Sequence, residues 1–274
     1  MTAEPTSDLV SARARAYDEH YRTEWHARRF TREIIEESLA DFLRCEEGGH
    51  PNGNEIQCAL QAIGVPDLQG RTVVDYCCGT GVTAIYFALL GARVFAFDRS
   101  PVALAIARES ARLSGVLDRV QFAVADARRL PYLSSSADVA FCQSALHILV
   151  DYPECPGELA RVLKPGGKAV FCEEALRAHP ALEAVRRLRR RRYRDCGGRT
   201  VDYPDLQAFG RAFSASRIHH FNLLFQLKTL FGHPIRGRGV RCLLRALDAL
   251  DRRLLRRFPV LNRFCGKIVV EYVR

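Results

Sequence analysis

From Thr72 onward the chain alternates short, continuous apolar runs with segments of helical period, and this alternation limits the fold more than any other feature. The runs Thr72–Tyr76, Arg93–Asp98, Val120–Ala125, Val139–Gln143 and Ala169–Glu173 read as strands, with helices at Val82–Leu90, Pro101–Leu113 and Pro156–Leu163 between them. A strand that is apolar along its whole length is buried on both faces, which calls for a parallel sheet covered by helices on each side. The short gaps suit right-handed β-α-β crossovers. Two later runs, Arg217–Leu223 and Lys267–Val273, are expected to complete the sheet at its edge. The fold class is therefore α/β: a doubly wound, mostly parallel seven-stranded sheet with helices on both faces.

The flanks differ from this middle. Residues 8–46 carry a helical stripe in which Tyr17, Tyr21 and Trp25 recur at i, i+4, i+8 and Phe30, Ile34, Leu39 and Phe42 follow. The stretch Glu46–Asn54 (EEGGHPNGN) is rich in Gly, Pro and Asn and reads as a loop. After Glu174 the sequence becomes mostly helical and basic. One integrated domain is expected, with an N-terminal helical cap over 1–68, a ligand-binding core over 69–175 and helical additions with the last strands over 176–274.

Composition narrows the class further. Hydrophobic residues make up 48% and charged residues 26%, as in ordinary soluble globular proteins. No apolar run reaches the roughly 18 residues of a membrane span, and the N-terminus (MTAEPTSDLV) lacks the basic flank and apolar core of a secretory signal. The ten cysteines include no C-x-x-C pair, which argues against a zinc site, and no metal is expected. Cys77, Cys142 and Cys172 fall in or at the ends of strand-like runs, where cysteine acts as a small hydrophobe. Reduced thiols and a cytoplasmic location follow as expectations.

The run VVDYCCGTGVTA follows the first strand and opens a helix. Gly79 and Gly81 let the backbone approach a ligand and adopt φ values that other residues avoid. The helix starting near Val82 offers free N–H groups and the positive end of its dipole. Read loosely, Gly79-x-Gly81-x-x-Ala84 with Asp98 downstream also fits a dinucleotide fingerprint, so a NAD-binding oxidoreductase has to be weighed. Three further features weigh against it, the first being Asp75, because a carboxylate there suits a ligand ammonium and repels a pyrophosphate. Asp126 ends the third strand, where it can accept from an adenine amine, and ELARVLKPGGKAVF gives helix, tight turn and strand in succession.

Together these residues resemble the class I (Rossmann-like) S-adenosylmethionine-dependent methyltransferase family, particularly its small-molecule branch. The family's D-x-G-x-G-x-G loop is matched by Asp75, Cys77, Gly79 and Gly81, its ribose acid by Asp98 and its adenine-side acid by Asp126. QSALHIL (Gln143–Leu149) looks like the motif after the fourth strand, and KPGG at Lys164–Gly167 like the turn before the fifth. The resemblance covers about residues 70–175 and implies S-adenosylmethionine as cofactor, with Asp75, Cys77, Gly79, Thr80, Gly81, Asp98, Asp126, Ala127 and Gln143 around it. Cys77 departs from the pattern by replacing the first glycine of the loop.

The resemblance further implies in-line methyl transfer to a small-molecule acceptor, in which the protein aligns the reactants and excludes water. His147, after the fourth strand, is the candidate general base. Tyr17 and Tyr21 are candidate lid residues whose rings would favour a sulfonium cation, and His219 or His220 is a candidate for the substrate side. The net charge of +10 is concentrated in Arg186–Arg194 and Arg236–Arg257. These stretches read as amphipathic helices with solvated charged faces, leaving open an anionic substrate or peripheral contact with an anionic membrane. An RNA or other nucleic-acid methyltransferase is disfavoured. After the fourth strand such enzymes often carry an acidic or amide residue, Pro-Pro and an aromatic, whereas this chain reads Cys142-Gln143-Ser144-Ala145.

Overall fold

A computed structural model describes residues 15–25, 30–44, 53–176, 200–224 and 238–274. The arginine run Arg186–Arg194 and its apolar positions Leu182, Val185 and Leu188 lie outside the described residues.

Seven strands, β1 (Thr72–Tyr76), β2 (Arg93–Asp98), β3 (Val120–Val124), β4 (Ala137–Gln143), β5 (Leu163–Ala175), β6 (Ala215–Phe221) and β7 (Lys267–Val273), form one sheet. Their order is β3-β2-β1-β4-β5-β7-β6. β3, β2, β1, β4 and β5 pair in parallel, and β7 runs antiparallel to both β5 and β6. The class is the one expected. The two late runs complete the sheet at one edge, as expected, with KIVVEYV paired to β5 and ASRIHHF outermost, and the outer strand spans Ala215–Phe221 rather than Arg217–Leu223. Burial accounts for that order, since β7 is buried at Ile268–Tyr272 while β6 is exposed or half-buried along its length.

Helices α1 (Arg32–Arg44), α2 (Gly53–Ile63), α3 (Val82–Leu89) and α4 (Pro101–Leu113) cover one face. There Ile35, Leu60, Phe87 and Leu104 meet Val73, Val94, Val139, Val170 and Val269 of the strands. The other face carries α5 (Leu146–Leu149), α6 (Glu154–Val162) and α7 (Tyr203–Gly210). Its core joins Leu149, Leu159, Leu206 and Phe209 to Val74, Phe97, Phe171 and Val270. Neighbouring residues such as Val73 and Val74 serve opposite cores because strand side chains alternate. Each fully buried phenylalanine in these cores contributes on the order of 2 kcal/mol over an exposed one. A further helix, α8 (Arg238–Arg257), is fixed through Leu244 and through Asp251, which accepts the Leu224 N–H at 2.8 Å.

Local chemistry sets the ends of these elements. Ser100 accepts the Ala103 N–H and Pro101 occupies the first turn, so α4 starts as the sequence requires. α6 opens at Glu154, two residues before the expected Pro156, and β4 begins at Ala137 rather than Val139. Around KPGG, Gly166 adopts φ 75° and donates to the Arg274 carbonyl, which ties the turn to the last residue.

The topology fixes where a ligand can enter. From β1 the chain crosses to β2 on one side, and from β4 it crosses to β5 on the other. The adjacent carboxyl ends of β1 and β4 therefore diverge and open a crevice at the switch point.

Candidate active site

The crevice holds a cavity with about 940 Å³ of empty space, counting its open mouth. Its floor is the loop after β1. Cys77, Gly79 and Gly81 all lie in the left-handed region, with φ 60°, 52° and 73°. Gly81 is also sterically required, because a Cβ there would stand 2.7 Å from the Ala107 Cβ on α4. Gly81 caps α3, so the first N–H groups of that helix face the loop. Thr80 is buried within the turn.

Two carboxylates hold this floor. Asp98, at the end of β2, accepts the Gly79 N–H (2.9 Å) on one oxygen and the Ser100 N–H (2.9 Å) on the other. A carboxylate has about four lone-pair sites, so acceptor capacity remains for ligand hydroxyls. Burial raises the Asp98 carboxyl above the usual range against the pull of these backbone bonds. Asp75 lies deeper. It is only 2% exposed, accepts from the Thr83 hydroxyl at 2.7 Å and is pushed up to about 7, chiefly by burial. It sits behind the loop and is not among the lining residues, so it supports the start of α3 and does not present an open carboxylate to the cavity.

The rim is built differently. Asp126, after β3, is held by the Arg128 guanidinium (2.9 and 3.1 Å) and the Arg128 N–H (3.0 Å), with Arg99 at 3.8 Å. Burial alone would raise its carboxyl, but the Arg128 bonds and both guanidinium charges outweigh that and hold it below the usual range. Arg128 lies 5.4 Å over the Tyr152 ring, which lines the same cavity. Ala127 lines the wall, and its carbonyl accepts from the Tyr76 hydroxyl at 2.8 Å. Gln143, Ser144 and Ala145 extend the wall from β4, followed by Ile148 and Leu149 of α5.

The N-terminal segment forms the roof. Residues 15–20 are α-helical and Tyr21–Trp25 are wound as a π-helix. Tyr17 and Tyr21 stack at 6.4 Å and both line the cavity. The Tyr21 hydroxyl stands 2.8 Å from where a Cβ on Gly79 would be. Burial and nearby Asp98 push its phenol far above the ordinary value. The segment is fastened by the Ser100 hydroxyl, which donates to Asp18 at 2.5 Å.

The structure thus brings Tyr17, Tyr21, Cys77, Asp98, Asp126, Ala127 and Gln143 around one space, while Gly79, Thr80 and Gly81 belong to the same loop as Cys77 without lining the cavity themselves. It does not bring the histidines there. His147 is half-buried on the turn of α5 whose neighbours face the cavity, but it is not itself among the lining residues. His219 and His220 lie on β6, separated from β4 by β5 and β7, and each is engaged elsewhere. His219 Nε2 pairs with Glu271 at 2.5 Å, and His220 pairs with the Tyr203 hydroxyl at 3.0 Å. Burial, with His219 beside it, pushes His220 down to about 4. Edge-strand pairing explains both, so neither approaches the pocket. Phe97, Arg99, Ser100 and Tyr152 were not named from the sequence, while Ile148 and Leu149 fall within the Gln143–Leu149 motif without having been singled out.

Among the described residues, no group of three or more His, Cys, Asp or Glu side chains is placed to hold a metal ion. The eight described cysteines are all free thiols.

Comparison with known proteins converges on the same segment. Residues 74–171 match the family model for a methyltransferase domain. A demethylmenaquinone methyltransferase of Clavibacter sepedonicus is 38% identical over 123 residues, 45% of this chain and 48% of that protein. The methyltransferase GfsG of Streptomyces halstedii is 36% identical over 109 residues, 39% of each chain. The chain therefore spans half or less of the length of these curated relatives. The crystal structure of geranyl diphosphate C-methyltransferase from Streptomyces coelicolor A3(2), in complex with Mg2+, geranyl diphosphate and S-adenosyl-L-homocysteine, superposes with a TM-score of 0.59. That alignment covers 96% of this chain and 98% of the other at 13% identity, a likeness of fold. Over residues 74–171 the chain is thus similar to methyltransferase domains, and its fold is that of a solved methyltransferase. The match includes the glycine loop and favours the methyltransferase reading of it over the dinucleotide-dependent oxidoreductase.

Proposed function

We propose that this chain transfers a methyl group from S-adenosylmethionine to a hydrophobic small molecule, and that the acceptor enters between Tyr152 and the N-terminal roof. The observation that carries this reading is Asp98 at the end of β2, beside the β1–β4 switch point, bound to the glycine loop and still able to accept hydrogen bonds from ribose hydroxyls. The site suits the cofactor on its own chemistry. It offers Cys77 of the glycine loop beside Asp98, a second carboxylate at Asp126 for an adenine amine, and the Tyr17 and Tyr21 rings for a sulfonium.

When bound, the cofactor supplies an electrophilic methyl group. The residues of the chain then have the task of orientation. Asp98 and the loop fix one end, Asp126 and Ala127 frame the other, and Tyr17 and Tyr21 exclude water. Holding acceptor and methyl at attack distance can contribute several kcal/mol of the barrier reduction. His147 stays the candidate base, acting at the acceptor side of α5. With no histidine among the described residues lining the cavity, orientation carries more of the reading than proton abstraction does.

Ile148, Leu149 and Tyr152 favour an apolar acceptor body, and Arg99 and Arg128 favour an acidic or phosphorylated end. Similar proteins named for demethylmenaquinone and geranyl diphosphate support that class. In this reading residues 69–175 bind the cofactor, residues 1–68 and 176–274 shape the acceptor side of one integrated domain, and the protein works in the cytoplasm. The test is transfer of labelled methyl from S-adenosylmethionine to a panel of quinones, prenyl diphosphates and RNA. Label in a hydrophobic acceptor is the expected result, and label in RNA alone would sink the proposal.

A further inference from the structure

Residues 238–263 hold eight arginines against two aspartates, a net +6 of the chain's +10. Both aspartates are committed to the protein itself. Asp248 accepts from Asn54 at 2.5 Å and pairs with Arg252, while Asp251 is 3% exposed and accepts the Leu224 N–H with both oxygens. The inward face of α8 is thus defined by Leu244, 1% exposed, and by Asp251.

A second apolar stripe on the same helix is exposed. Leu243 and Leu250, seven residues apart and so on one face, are 47% and 43% exposed. The stripe is followed past the end of the helix by Phe258 at 47% and Val260 at 61% exposure. Arginines stand directly beside these groups, with Arg257 5.3 Å over the Phe258 ring and Arg263 4.9 Å over the Phe264 ring. Arg253, Arg256 and Arg257 are themselves exposed.

We propose that α8 and the turn after it form a docking surface for an anionic lipid bilayer. A helix with apolar side chains on one exposed stripe and arginines beside it lies in the plane of the interface, its leucines at the acyl boundary and its guanidiniums among the phosphates. Arginine stems can cover apolar surface while their heads stay at the charged layer. A nucleic acid would engage the arginines but leave Leu243, Leu250, Phe258 and Val260 in water, so the apolar stripe favours lipid. No described helix is long and apolar enough to cross a membrane, so the contact is peripheral. This surface is independent of the methyl-transfer reading.

The test is co-sedimentation of the full chain with vesicles of phosphatidylcholine alone and of phosphatidylcholine mixed with phosphatidylglycerol. Partition onto the mixed vesicles is expected to be about tenfold or more stronger and to fall with salt. The double variants Leu243→Ser/Leu250→Ser and Arg253→Glu/Arg256→Glu should each weaken it about tenfold with the circular dichroism spectrum unchanged. All four positions are exposed, so the variants are expected to fold. Equal partition onto both vesicles would overturn the proposal. So would retention of binding by either variant, or capture of a DNA duplex without any capture of vesicles.

Discussion

The floor and the rim of the cavity hold their carboxylates in opposite ways. On the floor, Asp75 and Asp98 are largely withdrawn from water, bonded to backbone N–H groups or a hydroxyl, and raised by burial. On the rim, Asp126 is partly exposed, bonded to a guanidinium and held low. A buried acid bonded to backbone fixes the shape of a loop whatever the solvent does. A rim acid bonded to a partly exposed arginine can exchange that partner for a ligand. The floor is therefore expected to control folding and cofactor affinity together, and the rim to tune affinity alone.

The largest expected effect tests the floor through pH. Asp75 rises from 3.8 in the unfolded chain to about 7 when folded. The folded chain holds this proton more tightly than the unfolded one, so its contribution to stability is complete below about pH 4 and is lost as the pH climbs through about 7. Across that window Asp75 should cost up to roughly 4 kcal/mol. Urea denaturation at several pH values should show this slope, and Asp75→Asn, which mimics the neutral acid, should flatten it. Next comes Gly81→Val. It adds left-handed strain and a clash with Ala107, at about 3 kcal/mol in thermal unfolding, with cofactor-analogue binding lost alongside. On the rim, Asp126→Ala should leave the melting temperature nearly unchanged and weaken cofactor-analogue binding about tenfold, read by calorimetry. An equal loss of stability there would erase the distinction between floor and rim. The smallest effect is on the floor: Cys77→Gly should relieve φ 60° and stabilise the fold by about 1 kcal/mol.

The same division explains what the sequence disclosed. Floor residues are dictated by backbone geometry, which leaves local marks: a glycine where φ is positive and an acid at a strand end. Gly79, Gly81, Asp75 and Asp98 could be read from those marks, together with the strands that position them. Rim and roof residues meet across long sequence distances, and nothing local marks the meeting of Arg128 with Tyr152 or of Asp18 with Ser100. His219 and His220 show the opposite error. Their chemistry suggested a site, but strand order put them at the sheet edge beside Glu271 and Tyr203. The order itself escaped the sequence because an apolar run such as KIVVEYV reports burial but not which strands flank it.

Cofactor capture by the floor is the central claim, and Asp98 is its most direct test. Calorimetric titration of the full chain with S-adenosylhomocysteine should show one site per chain, and Asp98→Ala should weaken binding about a hundredfold through loss of charge-assisted hydrogen bonds. Equal affinity in the two proteins, or binding of NADH in place of S-adenosylhomocysteine, would contradict the account.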